Sequence, residues 1–131
     1  MAETVLLVED ELLIALDLQA TIEDAGFAVE GPCMTVVEAQ EAIDRCGDVL
    51  VAALLDVRLA DGNVFPAADR LYADGVPIIF HSGHADTTDL RERYPTATIC
   101  PKPSAPASLA AALRNTAWRD DAGDEAIRAT G

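Results

Sequence analysis

Short apolar runs alternate along the chain with longer stretches in which apolar residues recur every three or four positions. Residues 5–8 are apolar throughout, the pattern of a strand covered on both faces in a parallel sheet. Residues 12–25 carry the helical period, with Ile14, Leu18, Ile22 and Ala25 on one face and Asp17, Glu23 and Asp24 elsewhere. Gly26 stops that helix, residues 27–30 read as a short strand, and Gly31-Pro32 reads as a turn. Thr35 and Glu38 match a capping box, opening a helix with Val36, Ala39, Ile43 and Cys46 inward and Gly47 at its end. Residues 49–55 form the most apolar run and predict the central strand. Asp61-Gly62 is a turn, and a helix follows over about 63–73 with Val64, Ala68 and Leu71 inward. Residues 76–80 predict the fourth strand, whose Pro77 is tolerated near its start. The polar stretch 85–94 predicts a short helix ending before Pro95. Residues 96–100 predict the fifth strand, and Ser104 is expected to cap an Ala-rich helix through about Trp118, with Leu109, Leu113 and Ala117 on one face.

This βαβαβαβαβα order predicts an α/β fold: a doubly wound, five-stranded parallel sheet with helices on both faces and right-handed crossovers. One domain is expected over residues 1–119, with a polar tail over 120–131. Composition narrows the picture. The net charge of −14, from 23 acidic and 9 basic residues, argues against direct binding to nucleic acid or to an anionic membrane surface. A hydrophobic content of 50% argues against disorder. The three cysteines, Cys33, Cys46 and Cys100, are widely spaced and read as core residues in a reducing compartment. The first residues lack a basic stretch, and Glu9-Asp10-Glu11 interrupts their apolar run, against the form of a signal peptide. No apolar stretch reaches the ~18 residues of a membrane span. A soluble cytoplasmic protein is expected.

In doubly wound sheets, ligands gather at the carboxyl ends of the strands, near the switch in strand order. The residues predicted there are Glu9 and Asp10 after strand one, Asp56 after strand three, Ser82 after strand four and Lys102 after strand five. Two carboxylates ~4 Å apart repel by about 4 kcal/mol at an effective dielectric near 20, so the group calls for a cation. Its ligands are hard oxygens, which select Mg²⁺, or Mn²⁺ in its place, over zinc. Mg²⁺ keeps waters and accepts phosphoryl oxygens, and an aspartate is able to take a phosphoryl group as an aspartyl phosphate.

The segments LLVEDE, LLDVRLADG, IIFHSG and CPKP, in this order on a βα alternation, resemble the receiver domain of two-component response regulators over about residues 3–119. The resemblance implies a flavodoxin-like (CheY-like) topology and assigns roles. Asp56 is the phosphoacceptor. Asp10 binds Mg²⁺ directly and Glu9 acts through water, as a Glu-Asp pair where Asp-Asp is commoner. Arg58 offers its backbone carbonyl to the metal, Ser82 is the switch hydroxyl, and Lys102 pairs with phosphate oxygens. Lys102-Pro103 resembles the family's cis peptide. Glu11 has no family role and begins the first helix. The implied partner is a sensor histidine kinase or histidine phosphotransfer protein, and the implied state a monomer or weak homodimer. The chain resembles stand-alone receivers that work by protein–protein interaction or phosphorelay, in which strand four leads into a T/S-G-aromatic turn. His84 stands where the aromatic is expected.

Three departures stand out, one being that the segment from Ser82 to Lys102 is short and polar. Ile99 occupies the position, three before the lysine, where the family commonly has an aromatic switch residue. Arg58 and His84 flank the acceptor region at positions that influence phosphoryl lifetime in the family. Rival readings are weaker. A zinc site at His81 and His84 lacks further Cys or His ligands. No GxSxG supports a serine hydrolase. A Mg²⁺-dependent phosphohydrolase on a similar sheet needs Asp-x-Asp, and Asp56-Val57-Arg58 lacks the second acid. A receiver fold used only for binding would not need Asp56 and Lys102. Tyr72 and Trp118 read as packing residues.

Overall fold

The computed structural model describes residues 3–83 and 86–116. Five parallel strands form the sheet: β1 (Thr4–Val8), β2 (Ala28–Cys33), β3 (Leu50–Asp56), β6 (Ile78–Ser82) and β7 (Thr98–Pro101), in the order β2-β1-β3-β6-β7. Two short strands, β4 (Arg58–Leu59) and β5 (Gly62–Asn63), form a separate antiparallel ribbon just after β3. The helices are α1 (Leu12–Asp24), α2 (Val36–Cys46), α3 (Phe65–Ala73), α4 (Thr87–Arg93) and α5 over 106–116. The α/β class, the parallel sheet and the five-strand count are as the sequence predicts. Ala117, Trp118, His84 and the tail expected over 120–131 lie outside the described residues.

Strand alternation splits the core into two layers. Leu6, Val8, Ala53, Leu55, Ile78 and Phe80 face one side, where Ala39 and Ile43 of α2, Ala67, Ala68 and Leu71 of α3, and Leu90 of α4 cover them. Val5, Leu7, Ala52, Leu54 and Ile79 face the other, beneath Leu18 and Ile22 of α1 and Leu109 and Leu113 of α5. Both faces of β1 and β3 are thus buried, the physical reason these strands read as unbroken apolar runs. Helix α1 buries Ala15 together with Leu18 and Ile22, while Leu12, Leu13 and Leu16 stay exposed at its start. Thr35 caps α2 as expected, accepting from the Glu38 N–H, while the Glu38 carboxylate accepts from the Met34 N–H at 2.6 Å. Cys33 and Cys100 are buried, Cys46 is half-buried and all three are free thiols; burial first, then nearby carboxylates, pushes Cys33 up to about 11.

Several boundaries differ from the sequence reading. Gly31-Pro32 is not a turn between elements: β2 continues through it to Cys33, with an irregularity in its register against β1. Gly31 adopts φ +109°, and a Cβ there would lie 2.6 Å from the Leu7 carbonyl oxygen and 2.7 Å from the Cys33 nitrogen. Only glycine fits this close approach. Helix α3 starts at Phe65 with Pro66 in its first turn, later than the expected 63, because Gly62 and Asn63 are spent on the ribbon. The fourth and fifth strands each start and end later than expected. Ser104 does not open α5, since its hydroxyl donates to the Pro101 carbonyl; the helix begins at 106, with the Ala105 carbonyl accepting from the Leu109 N–H at 3.2 Å.

Candidate functional site

The strand order reverses at β1: the chain passes from β1 to the edge strand β2, then returns to β3 on β1's other side. The crevice at the carboxyl ends of β1 and β3 lies at that reversal. Register carries the site residues there. Val8 pairs with Leu55, so Glu9 and Asp10 emerge beside Asp56. Asp56 pairs with His81, and Ser82 with Pro101, which sets Lys102 on the same rim. The Lys102 N–H donates to the Ser82 carbonyl at 2.8 Å, extending the ladder by one residue. Lys102-Pro103 is a cis peptide, as is Gly31-Pro32.

The three acidic residues converge as predicted: carboxylate oxygens of Glu9, Asp10 and Asp56 lie within 4.8 Å of one another. Glu9 is fully buried, Asp56 is buried and Asp10 half-buried. The Lys102 ammonium donates to Asp56 Oδ1 at 3.0 Å and stands 3.7 Å from Glu9 Oε2. The Val57 N–H also donates to Asp56 Oδ1, at 2.9 Å. Burial alone pulls Lys102 down, but the Asp56 hydrogen bond and the charges of Asp56 and Glu9 outweigh it, and its pKa lies above the usual lysine value. Glu9 is pushed from its ordinary 4.5 up to about 7, by burial first and the Asp56 charge second, with Lys102 offsetting part of the rise.

One lysine shared among three carboxylates leaves the cluster short of positive charge. Both Glu9 carboxylate oxygens are buried without a hydrogen-bond partner. Such orphaned acceptors are costly in a folded interior unless a cation or water satisfies them. Carboxylate oxygens alone, with no nitrogen or sulfur donor, suit Mg²⁺ or Mn²⁺. The residues present therefore fit a hard divalent cation.

The remaining predicted residues are placed differently. The Ser82 side chain is buried on β6, but its hydroxyl donates to the Gly83 carbonyl at 2.9 Å and approaches Asp86 Oδ2 at 3.5 Å, with no bond to Asp56. Arg58 opens the ribbon, and its exposed guanidinium pairs with Asp86 Oδ1 at 3.1 Å. His81 is buried, and both ring nitrogens lack partners; burial first, then the Lys102 cation, lowers its pKa. Ile99 lies on β7 beside Phe80, half-buried against the α2/α3 layer, in a packing role. Aromatic packing under α4 falls instead to Tyr94, which is buried against Phe80 at 5.2 Å and Tyr72 at 5.4 Å, its hydroxyl donating to Asp69 at 2.6 Å. Tyr72 packs here, as the sequence predicts.

Two residues, one beside the site and one that caps α2, escaped sequence reasoning. Asp86, four positions after Ser82, reads there as one acid in a polar stretch. Asp61, in the turn of the ribbon, accepts from the N–H groups of Val36 at 2.9 Å and Val37 at 3.3 Å, capping α2 from a distant loop.

The chain is similar to a response regulator receiver protein from Sinorhizobium medicae, at 28% identity and a TM-score of 0.75, over 88% of this chain and 94% of that one. With the strand order and the acidic rim, this defines a class by architecture: the chain has the receiver-domain fold of response regulators. Within that class it is similar to the phyllosphere-induced regulator PhyR of Methylorubrum extorquens, at 35% identity over 86% of this chain. It is also similar in structure to PhyR from Bartonella quintana, described as an anti-anti-sigma factor, at 25% identity and a TM-score of 0.78, over 97% of this chain and 52% of that one. The chain spans 43% of the length of the Methylorubrum relative. No family model matches the chain. Among the described residues, no helix is long and apolar enough to cross a membrane.

Proposed function

We propose that this receiver takes a phosphoryl group on Asp56 from a partner histidine kinase or histidine phosphotransfer protein and signals through protein–protein contacts or phosphorelay. The observation that carries this reading is the buried cluster of Glu9, Asp10 and Asp56, with Lys102 bonded to Asp56 and both Glu9 oxygens left unpartnered. Asp10, Asp56, Glu9 and the Arg58 backbone carbonyl would hold Mg²⁺, with Mn²⁺ able to substitute. The metal, when bound, neutralises charge on the transferring phosphoryl oxygens. An Asp56 carboxylate oxygen forms the new bond to phosphorus as the bond from phosphorus to the donor imidazole breaks, its electron pair returning to the ring. The Lys102 ammonium moves from the Asp56 carboxylate to a phosphoryl oxygen, and the Ser82 hydroxyl turns to donate to another.

The receiver unit takes residues 1–119, and 120–131 form a tail. The protein acts as a cytoplasmic phosphoacceptor, a monomer or weak homodimer, that takes part in its own phosphorylation and dephosphorylation without turning over a separate substrate. Leu12, Leu13 and Leu16 leave an apolar patch on the first turns of α1, directly after the acidic pair, which suits docking of the phosphodonor partner. The acidic surface argues for protein targets over DNA. Phosphohydrolase chemistry is disfavoured because position 58, where a general acid is needed, is an arginine paired with Asp86.

The test is incubation with a small phosphodonor, with and without Mg²⁺, read by intact-protein mass for wild type and Asp56→Asn. One Mg²⁺-dependent phosphoryl addition to wild type and none to the variant is expected. Equal addition to both would reject Asp56 as acceptor.

A further inference from the structure

Asp86 stands at the start of α4, where an aspartate ordinarily accepts hydrogen bonds from the first turn of its own helix. Its side chain makes no such cap. One oxygen instead takes the Arg58 guanidinium at 3.1 Å, 28 residues away in sequence, and the other lies 3.5 Å from the Ser82 hydroxyl. Arg58 follows the acceptor aspartate by two residues, and Ser82 ends the neighbouring strand. A carboxylate therefore reaches back from α4 to two donors at the mouth of the Asp56 site.

We propose that Asp86 is a positioning residue that, in the resting protein, occupies the Arg58 and Ser82 donors on which a phosphoryl group at Asp56 would draw. This rests on the reading of Asp56 as phosphoacceptor. The competition follows from donor arithmetic. Ser82 has one hydroxyl proton, shared at rest between the Gly83 carbonyl and Asp86. A phosphoryl group brings roughly −1.5 to −2 charge and three strong acceptor oxygens. Once Ser82 and Arg58 turn to it, Asp86 loses both partners and faces a like charge. Because Asp86 is the residue that opens α4, its release frees the start of that helix. Leu90 and Tyr94, buried beneath the same stretch, carry the displacement toward Phe80.

This device needs no aromatic tip at position 99. Coupling runs from the phosphoryl site through two donors to one carboxylate on the moving segment. By linkage, whatever opposes phosphoryl occupancy at rest must strengthen that occupancy when removed.

The test is titration of wild type, Asp86→Ala and Asp86→Asn with beryllofluoride in saturating Mg²⁺, followed by backbone amide NMR, with amide exchange over 87–93 measured before and after. Loss of the Asp86 charge is expected to tighten beryllofluoride binding about two- to fivefold, the scale of a partly exposed ion pair. Exchange over 87–93 in the ligand-free variants should also move toward the rate of the beryllofluoride-bound wild type. Structural damage alone would weaken binding, so tighter binding separates the two. Wild-type binding with unchanged or weaker constants in both variants overturns the role of Asp86 and leaves the phosphoacceptor reading standing. No Mg²⁺-dependent binding by wild type overturns both.

Discussion

Replacing Glu9 by glutamine exposes the cost of burying the acidic cluster. Glu9 is fully buried, its oxygens have no hydrogen-bond partner, and its pKa stands at about 7 against an ordinary 4.5. At 1.36 kcal/mol per pH unit, ionising it in the fold costs roughly 3 kcal/mol more than in the unfolded chain. Glutamine keeps the shape and removes the charge, and its amide is able to donate toward Asp56. Placing a new buried amide costs part of the gain, about 1–2 kcal/mol. In chelator at pH 8, Glu9→Gln is therefore expected to be more stable than wild type by about 1–2 kcal/mol, or roughly 3–8 °C in thermal midpoint for a domain of this size. The sign depends on pH in a defined way. A raised carboxyl pKa contributes stability that is fully present below 4.5 and lost as pH rises through about 7. Near pH 4.5 that gain is gone, and the cost of the buried amide should leave the variant less stable than wild type by about 1–2 kcal/mol. Saturating Mg²⁺ should reverse the order at pH 8, because wild type gains binding energy that the variant loses. Urea denaturation at the two pH values, with chelator or Mg²⁺, reads all four arms. A variant destabilised equally at both pH values, with no Mg²⁺ effect on wild type, would rule out a costly buried charge at Glu9.

Other expectations follow from the same structure. Gly31→Ala must place a methyl 2.6 Å from the Leu7 carbonyl at φ +109°, and should lose about 2–4 kcal/mol in urea denaturation; a change under about 0.5 kcal/mol would mean the edge strand is not built this way. Tyr94→Phe removes the 2.6 Å bond to Asp69 while keeping the ring on Phe80, so about 1–2 kcal/mol of stability should be lost by chemical denaturation. Asp61→Ala should destabilise at neutral pH by uncapping α2. Because the Val36 N–H holds Asp61 below its ordinary 3.8, that contribution is present above 3.8 and fades as pH falls further; an acid titration of the stability difference checks it.

What the sequence could and could not reveal has physical reasons. β1 and β3 were legible because strands buried on both faces need apolar residues at every position, and few other elements do. The approach of Glu9, Asp10, Asp56 and Lys102 was legible because parallel strands share a polarity, so their carboxyl ends meet on one rim. The ribbon after Asp56 was not: two strands of two residues each are too short to show alternation. The full length of β2 was hidden because Gly31-Pro32 has turn chemistry yet lies within an edge strand. Ala15 is small enough to hide its place in the core of α1, while the larger Leu12 and Leu13 face solvent. Asp61 and Asp86 act on partners 24 to 28 residues away, a relation that no local pattern carries. The direction of the Ser82 hydroxyl is likewise a property of the folded loop.

Asp56 itself is proposed to carry the phosphoryl group. An acyl phosphate is cleaved reductively by borohydride, leaving homoserine where the aspartate stood, and peptide mass spectrometry then locates the changed residue. The protein should be treated with a small phosphodonor and Mg²⁺, reduced, digested and sequenced by mass. Homoserine at position 56 alone, dependent on both phosphodonor and Mg²⁺, is the predicted result. An unmodified Asp56 with stable phosphate on Ser82 or His81 would place the acceptor elsewhere.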